Sequence, residues 1–448
     1  MISYINCKIF IIFIILSSTV FSQTIYDEGY QNDLIILKKF LENNHPSLYR
    51  FKNKEYINNL FEQSIESINN NSSERDFYKT IKHILSEIED GHLSCSAPEK
   101  TIKIIEEKEK HFPLSLYFTP NKAFVNCSNL INYKSGIEII EINGKSINSI
   151  RKELFRYIVS DGSIETKKYW ILNHSFWFYF SLVYGVNSEY EITYKGNHGI
   201  LKKSIIKAEL KKDIQCNRIV NESNDNLVCL EFVNNQLALL KIKTFVENDL
   251  VNAKINFSNF LESSFTEIKK RKIKSLIIDL RGNGGGRDVF GSLLYSYLTN
   301  LSFRYYKELS TVTKTLMENE HSNLSIQQPK KNSFLGKVYV LINGLSFSAT
   351  SEFCNVVKNN NRAVFIGEET GGTYCGNTSG KFAELILPYS KFTIFSPTIK
   401  YIMFTNNDKN TNRGIIPDYE IIPTIEDLKS GIDKQLNFTI KLAEKNEK

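Results

Sequence analysis

Apolar residues recur at helical spacing early in this chain and gather into short strand-like runs later on. Leu34, Leu37, Phe40 and Leu41 mark one helical face before His45-Pro46. A second helix starts at the cap-like Ser73-x-x-Asp76. It carries the stripe Phe77, Ile81, Ile84, Leu85 and Ile88 and stops at Asp90-Gly91. Gly136 to Gly144 reads as an apolar strand closed by an Asn-Gly turn, Tyr169 to Tyr184 as an aromatic-rich helix, and Glu189 to Tyr194 as a strand. Further on, Lys274 to Asp279 is a buried strand that runs through Gly282 to Gly286 into a helix near Val289 to Leu298. Lys337 to Ile342 is a second such strand, leading through Asn343-Gly344 and Ser348 into a helix from Ala349 to Lys358. Phe365 to Gly367, Leu385 to Leu387 and Thr393 to Phe395 complete the expected strands. No internal repeat is visible.

These patterns divide the mature chain into a helical block at 23–98, a mixed block at 99–210 and an α/β block at 211–448. Residues 1–22 read as a secretory signal. Lys8 supplies the positive end, Ile9 to Leu16 the apolar run and Val20-Phe21-Ser22 the cleavage region before Gln23. That run is too short for an ordinary membrane span, and no later stretch is long enough. The expected protein is therefore exported, periplasmic or secreted, and not inserted in a membrane once the signal is removed.

The 448 residues suffice for roughly two to four structural units. Hydrophobic residues at 42% and charged residues at 23% exclude wholesale disorder and a collagen-like chain. A net charge of +7, from 56 basic and 49 acidic residues, is too mild to argue for nucleic acid. Of seven cysteines, Cys7 falls within the signal. An exported chain permits disulfides among the others, with Cys216–Cys229 the first pairing to test and buried free thiols the alternative.

Two strand-to-helix turns carry candidate chemistry, because loops at the carboxyl ends of α/β strands converge. Asp279-Leu-Arg-Gly-Asn-Gly-Gly-Gly286 lets backbone amides approach a ligand, as an oxyanion hole requires, and fits neither a dinucleotide fingerprint nor a P-loop. Ser346-Phe-Ser348-Ala349 presents a hydroxyl at a helix N-terminus, although it lacks the G-x-S-x-G elbow pattern. A nucleophilic serine needs a base. Of the seven histidines, none at metal-binding spacing, His92 is best placed, on a loop directly after a helix end. His83 reads as structural, and His45 as a turn or packing residue.

Asp279 to Gly286 resembles the glycine-rich signature of the tail-specific, or carboxy-terminal processing, serine peptidases of family S41. Val340-Leu-Ile-Asn-Gly344 with Phe347-Ser348-Ala349 resembles that family's nucleophile strand and turn. Arg362 to Glu368 is similar to its next strand, and Gly414-Ile-Ile-Pro417-Asp418 to its closing segment. Asp90-Gly91-His92 resembles the branch of the tricorn core protease and interphotoreceptor retinoid-binding protein, and His45-Pro46-Ser-Leu-Tyr49 secreted bacterial members. Gly136 to Ile150 resembles part of a PDZ-like module.

The resemblance implies an α/β fold, the α+β core of the tail-specific protease and ClpP/crotonase type. It adds an N-terminal helical subdomain and a PDZ-like insert. It implies Ser348 as nucleophile, His92 as base, the Gly286 and Ala349 amides as oxyanion hole, peptide or protein substrates, and neither metal nor organic cofactor. The lysine of the Ser-Lys branch falls at Thr373, and the serine that precedes the histidine in the tricorn-like branch is Gly91. Glu369 and Asp418 are candidate acidic partners, with Asp90 a poorer one because it adjoins His92 in sequence. The rival reading is a non-catalytic ligand- or peptide-binding protein on the same fold.

Overall fold

The computed structural model describes residues 29–69, 71–196, 199–214, 226–405 and 412–445. The signal-like segment, His198 and Cys216, and with it the Cys216–Cys229 pairing, lie outside the described residues. Cys127 is disulfide-bonded, whereas Cys95 and Cys354 are buried free thiols. Among the described residues no helix is long and apolar enough to cross a membrane.

Three helices, Tyr30–Asn44, Lys54–Ser67 and Glu74–Glu87, come first among the described residues. The third begins with a full capping box, Ser73 and Asp76 satisfying each other's backbone donors, and buries Phe77, Ile81, Ile84 and Leu85. Their apolar faces share a core with Leu387, Phe392 and Ile394 from a distant hairpin. Directly after the Asp90-Gly91-His92 turn, strand Ser94–Ser96 pairs antiparallel with strand Thr393–Met403. This pairing carries the N-terminal turn onto the C-terminal half.

The middle of the chain forms an antiparallel sheet of strands Ser115–Phe118, Ala123–Cys127, Glu138–Ile142, Glu189–Lys195 and Leu201–Lys207, in that order. Asn143 and Gly144 both take positive φ (49° and 72°), the type I′ geometry that an Asn-Gly hairpin favours. Helices Ile147–Phe155 and Thr166–Tyr184 cover one face through Ile150, Leu154, Leu172, Phe176 and Phe180. The aromatic stripe thus serves packing.

A six-stranded sheet organises the remainder. Its order is Val228–Phe232, Leu237–Ile242, Ser275–Asp279, Lys337–Ile342, Val364–Gly367 and Tyr419–Glu420. The first pair is antiparallel and the others are parallel. Helices Phe257–Lys270, Asp288–Ser296 and Ala349–Asn359 pack on one face and helix Lys434–Lys445 on the other. Burial on both faces explains why Ser275–Asp279 and Val338–Ile342 read as continuous apolar runs. Leu385 and Ile386 close the longer strand Thr378–Ile386, with Leu387 just past its end, and Thr393 to Phe395 open strand Thr393–Met403; the two strands belong to a separate antiparallel sheet.

Arg281 fastens the last helix to this sheet. Its guanidinium donates to Asp279 at 2.9 and 2.6 Å, to Asp433 at 2.8 and 2.7 Å and to Gln435 at 2.9 Å. Burial pushes the Asp279 carboxyl up, but Arg281 outweighs it and holds the group ionised below its ordinary range. Removal of the cation strands a buried carboxylate. Arg281→Met should therefore cost about 3–5 kcal/mol in urea unfolding; a loss under about 1 kcal/mol would contradict this assignment.

Candidate active site

Strand Lys337–Ile342 gives way to the turn at Asn343, and helix Ala349–Asn359 begins six residues after that asparagine. Ser348 sits at the junction with φ 55° and ψ −129°, a backbone region that L-residues with a Cβ rarely occupy. This is the sharp strand-to-helix elbow, reached without the G-x-S-x-G pattern. Neighbouring side chains hold it. Asn343 Oδ1 accepts from Gly282 and Leu345 amides at 3.0 and 3.1 Å. Ser346 Oγ donates to Leu280 O at 2.9 Å, and Phe347 N donates to Asn283 O at 3.1 Å. Both expected turns are therefore tied into one unit.

The glycine loop lies directly against this serine. A Cβ on Gly285 would stand 2.7 Å from Ser348 Cβ and 3.0 Å from Ala349 N, so only glycine admits that approach. Gly285 O accepts from Phe245 N at 2.9 Å, and Arg287 N donates to Phe245 O at 2.8 Å. These bonds flank Gly286, whose own amide, like that of Ala349, donates no hydrogen bond among the described residues.

His92 Nε2 is 3.0 Å from Ser348 Oγ. The ring packs on Phe347 with centroids 4.4 Å apart. Its Nδ1 is buried and 4.0 Å from Asp90 Oδ1, too far for a hydrogen bond. Burial drives the imidazole pKa down to about 3, against the pull of Asp90. His92 is thus neutral at neutral pH, the state a proton acceptor requires.

Asp90 is itself built in. Its Oδ2 accepts from His45 Nε2 at 3.0 Å and from Thr378 Oγ1, and its Oδ1 accepts from His92 N at 2.9 Å. Ser47 N donates to His45 Nδ1 at 3.2 Å, which selects the tautomer with its proton on Nε2. Burial opposes the Asp90 charge, but these partners prevail and keep it well below the ordinary carboxylate range. His45 is therefore the support of this carboxylate rather than a turn residue.

The other candidate acids stand elsewhere. Glu369 accepts from Arg413 at 2.8 and 2.8 Å and from Gly414 N at 2.8 Å. Asp418 bonds Lys358 Nζ and accepts from Phe365 N at 2.8 Å. Arginine, lysine and backbone donors hold both carboxylates in structural roles, and neither contacts His92. The sequence-adjacent Asp90 takes the position beside the imidazole. Glu89, at φ 61°, reverses the chain after the helix and sets this turn. Thr373 donates to Gly376 O and receives Arg50 at 3.3 Å.

Two further buried groups, Asp161 and Lys167, reach this turn without any signal in the sequence. Asp161 Oδ1 accepts from Gly91 N at 2.6 Å, and Lys167 Nζ donates to Gly91 O at 2.8 Å. Donor atoms of Asp90, His92 and Asp161 lie within 4.8 Å of one another, a grouping that could in principle hold a cation. Two ligands on a tetrahedral zinc stand about 3.4 Å apart, closer than the 4.0 Å between His92 Nδ1 and Asp90. The Lys167 ammonium also opposes a second positive charge here. The three groups fit an electrostatic role better than a metal site.

A cleft of about 660 Å³ opens alongside, between Tyr117, Trp170 and Asn173 of the middle block and Arg281, Asn343 and Gly344 of the core. It reaches the turn residues that lead to Ser348.

Residues 236–421 match the family model of peptidase family S41. The fold is similar to that of mature CPAF complexed with lactacystin, at 14% identity and a TM-score of 0.66, covering 93% of this chain and 98% of that one. A second structure of mature CPAF gives 12% identity and a TM-score of 0.65, covering 91% and 95%. At such identities the likeness concerns the fold. No curated protein matches this sequence. Five of the six strands of the core sheet and both converging turns lie within the matched segment, and on that match this segment is similar to the serine-type peptidases of family S41.

Proposed function

We propose that this protein is exported and cleaves peptide bonds through Ser348 and His92. The observation that carries the reading is the 3.0 Å contact between Ser348 Oγ and His92 Nε2, made from a serine on a strained elbow. His92 Nε2 takes the hydroxyl proton as Oγ attacks the peptide carbonyl carbon. The Gly286 and Ala349 amides, with the helix N-terminus behind Ala349, hold the tetrahedral oxyanion. The imidazolium then gives its proton to the leaving amine as the C–N bond breaks. Water, deprotonated by the same nitrogen, resolves the acyl-enzyme to acid and free serine. Asp90, ionised at 4.0 Å, favours the transient imidazolium across a site of low dielectric.

Export is supported by Lys8 and the Ile9 to Leu16 run, and the bonded Cys127 suits an oxidising compartment. The antiparallel middle sheet ends at strand Leu201–Lys207, whose outer edge suits strand addition by a peptide, as a PDZ-like module would use it. The test is the rate of cleavage of one unstructured peptide with a free or an amidated C-terminus. The free acid is expected to be cleaved faster. Equal rates would remove carboxyl-terminal recognition from the proposal, and no cleavage of either by folded protein would favour a binding role.

A further inference from the structure

Gly91 joins Asp90 to His92, and both sides of its peptide are held by buried charges from the middle block. Asp161 and Lys167 are only 3% and 5% exposed, an expensive placement for charged groups that serve no purpose. They come from the loop and first turn that open helix Thr166–Tyr184. Asp161 receives the Gly91 N–H at 2.6 Å, and Lys167 donates to the Gly91 carbonyl at 2.8 Å. Lys167 Nζ also stands 3.3 Å over the Phe347 ring, which packs on His92 and precedes Ser348. One ammonium thus touches the peptide next to the base and the ring next to the serine. A Cβ at position 91 would meet Lys167 Nζ at 2.6 Å, Asp161 Oδ1 at 2.9 Å and Phe347 Cε2 at 3.1 Å. The glycine that departs from the tricorn-like pattern is the residue this clamp requires.

We propose that Asp161 and Lys167 are positioning residues for His92, gripping the Gly91 peptide from both sides so that the imidazole meets Ser348 only while the middle block is docked. This rests on the Ser348–His92 reading and deepens it.

The charges have a second effect. Asp161 Oδ2 has no hydrogen-bond partner among the described residues, and the carboxylate groups with Asp90 and His92. When ionised it favours the imidazolium, whereas Lys167 opposes it. The charged and titratable groups facing this pair are Arg50, Asp90 and His92, all from the N-terminal block. Burial, then Asp90, raises the Asp161 carboxyl to about 6. Burial, against Asp161 and Asp90, lowers Lys167 to about 8. Both are charged between these values. Activity should rise as pH climbs through the first, where Asp161 gains its charge, and fall as it passes the second, where loss of the ammonium charge loosens the hold on the Gly91 carbonyl and the Phe347 ring and outweighs the relief it gives the imidazolium.

The experiment is the rate of fluorophosphonate labelling of the full protein from about pH 5 to 9, with circular dichroism as the folding control. Asp161→Asn keeps an acceptor for Gly91 N without the charge, and Lys167→Met keeps bulk without the donor. Each folded variant is expected to label about tenfold or more slowly, with Asp161→Asn losing the acid limb and Lys167→Met the alkaline one. Lys167→Gln, which keeps a donor, should recover part of the rate but not the alkaline limb, and it carries the same test if Lys167→Met does not fold. Wild-type rates with both limbs intact in folded variants would overturn the clamp while leaving the Ser348–His92 reading standing. A folded wild type that takes no label overturns that reading and the clamp with it.

Discussion

Ser348→Ala is expected to lower peptide turnover by about 10⁴-fold or more while leaving the fold intact. In the proposed mechanism the hydroxyl oxygen forms the acyl bond, and alanine fills the same elbow without it. His92→Ala should fall to a similar level, because a serine 3.0 Å from a missing base keeps its proton. The double variant should be no slower than either single one, since residues that act as a unit lose their effect together. A structural corollary checks the elbow. Ser348 is at φ 55° with a Cβ present, so Ser348→Gly should relieve strain and stabilise the protein by about 1 kcal/mol in urea unfolding. Retained turnover in Ser348→Ala would falsify the nucleophile assignment.

The second large effect is expected at Gly286. Its φ is 136°, and a Cβ there would lie 2.1 Å from Phe245 C and 2.2 Å from Phe245 O. Backbone at that separation cannot step aside as a flexible side chain can. Gly286→Ala should therefore push the glycine loop away from the Phe245 bridge, at about 2–4 kcal/mol in stability. If the amide of residue 286 holds the oxyanion, kcat should drop about 10²–10³-fold in whatever fraction remains folded. Gly282→Ala is the control. Gly282 also has positive φ (78°), but a Cβ there meets nothing within 4 Å. That variant should lose about 1 kcal/mol from the backbone alone and keep its activity. Equal effects at both positions would contradict the role given to the 286 amide.

The core was legible in the sequence wherever local pattern and burial agree. Ser275–Asp279 and Lys337–Ile342 are covered on both faces, so their apolar runs stand out, and the turns after them carry the glycines and serines that their geometry needs. Ser73 and Asp76 mark a helix start because the capping box is made within four residues. The supports of the base were not legible, because their partners lie far apart along the chain. Asp90 is held by Thr378 from the separate antiparallel sheet and by His45, and Gly91 by Asp161 and Lys167. No spacing encodes those meetings. Proximity in sequence argued against Asp90, yet the reversal at Glu89 turns its carboxylate toward the imidazole two residues on. Glu369 and Asp418 drew notice as acids within or beside the segments resembling the family. Arg413 and Lys358, which occupy them, carry no mark that distinguishes them from other basic residues.

The most direct measurement of the central claim is the mass of the intact protein after fluorophosphonate treatment, followed by mapping of the modified peptide, in wild type, Ser348→Ala and His92→Ala. The account requires a single adduct on Ser348 in wild type, none in Ser348→Ala, and labelling slower by orders of magnitude in His92→Ala. An adduct on another residue, wild-type labelling in His92→Ala, or a folded wild type that takes no label would contradict it.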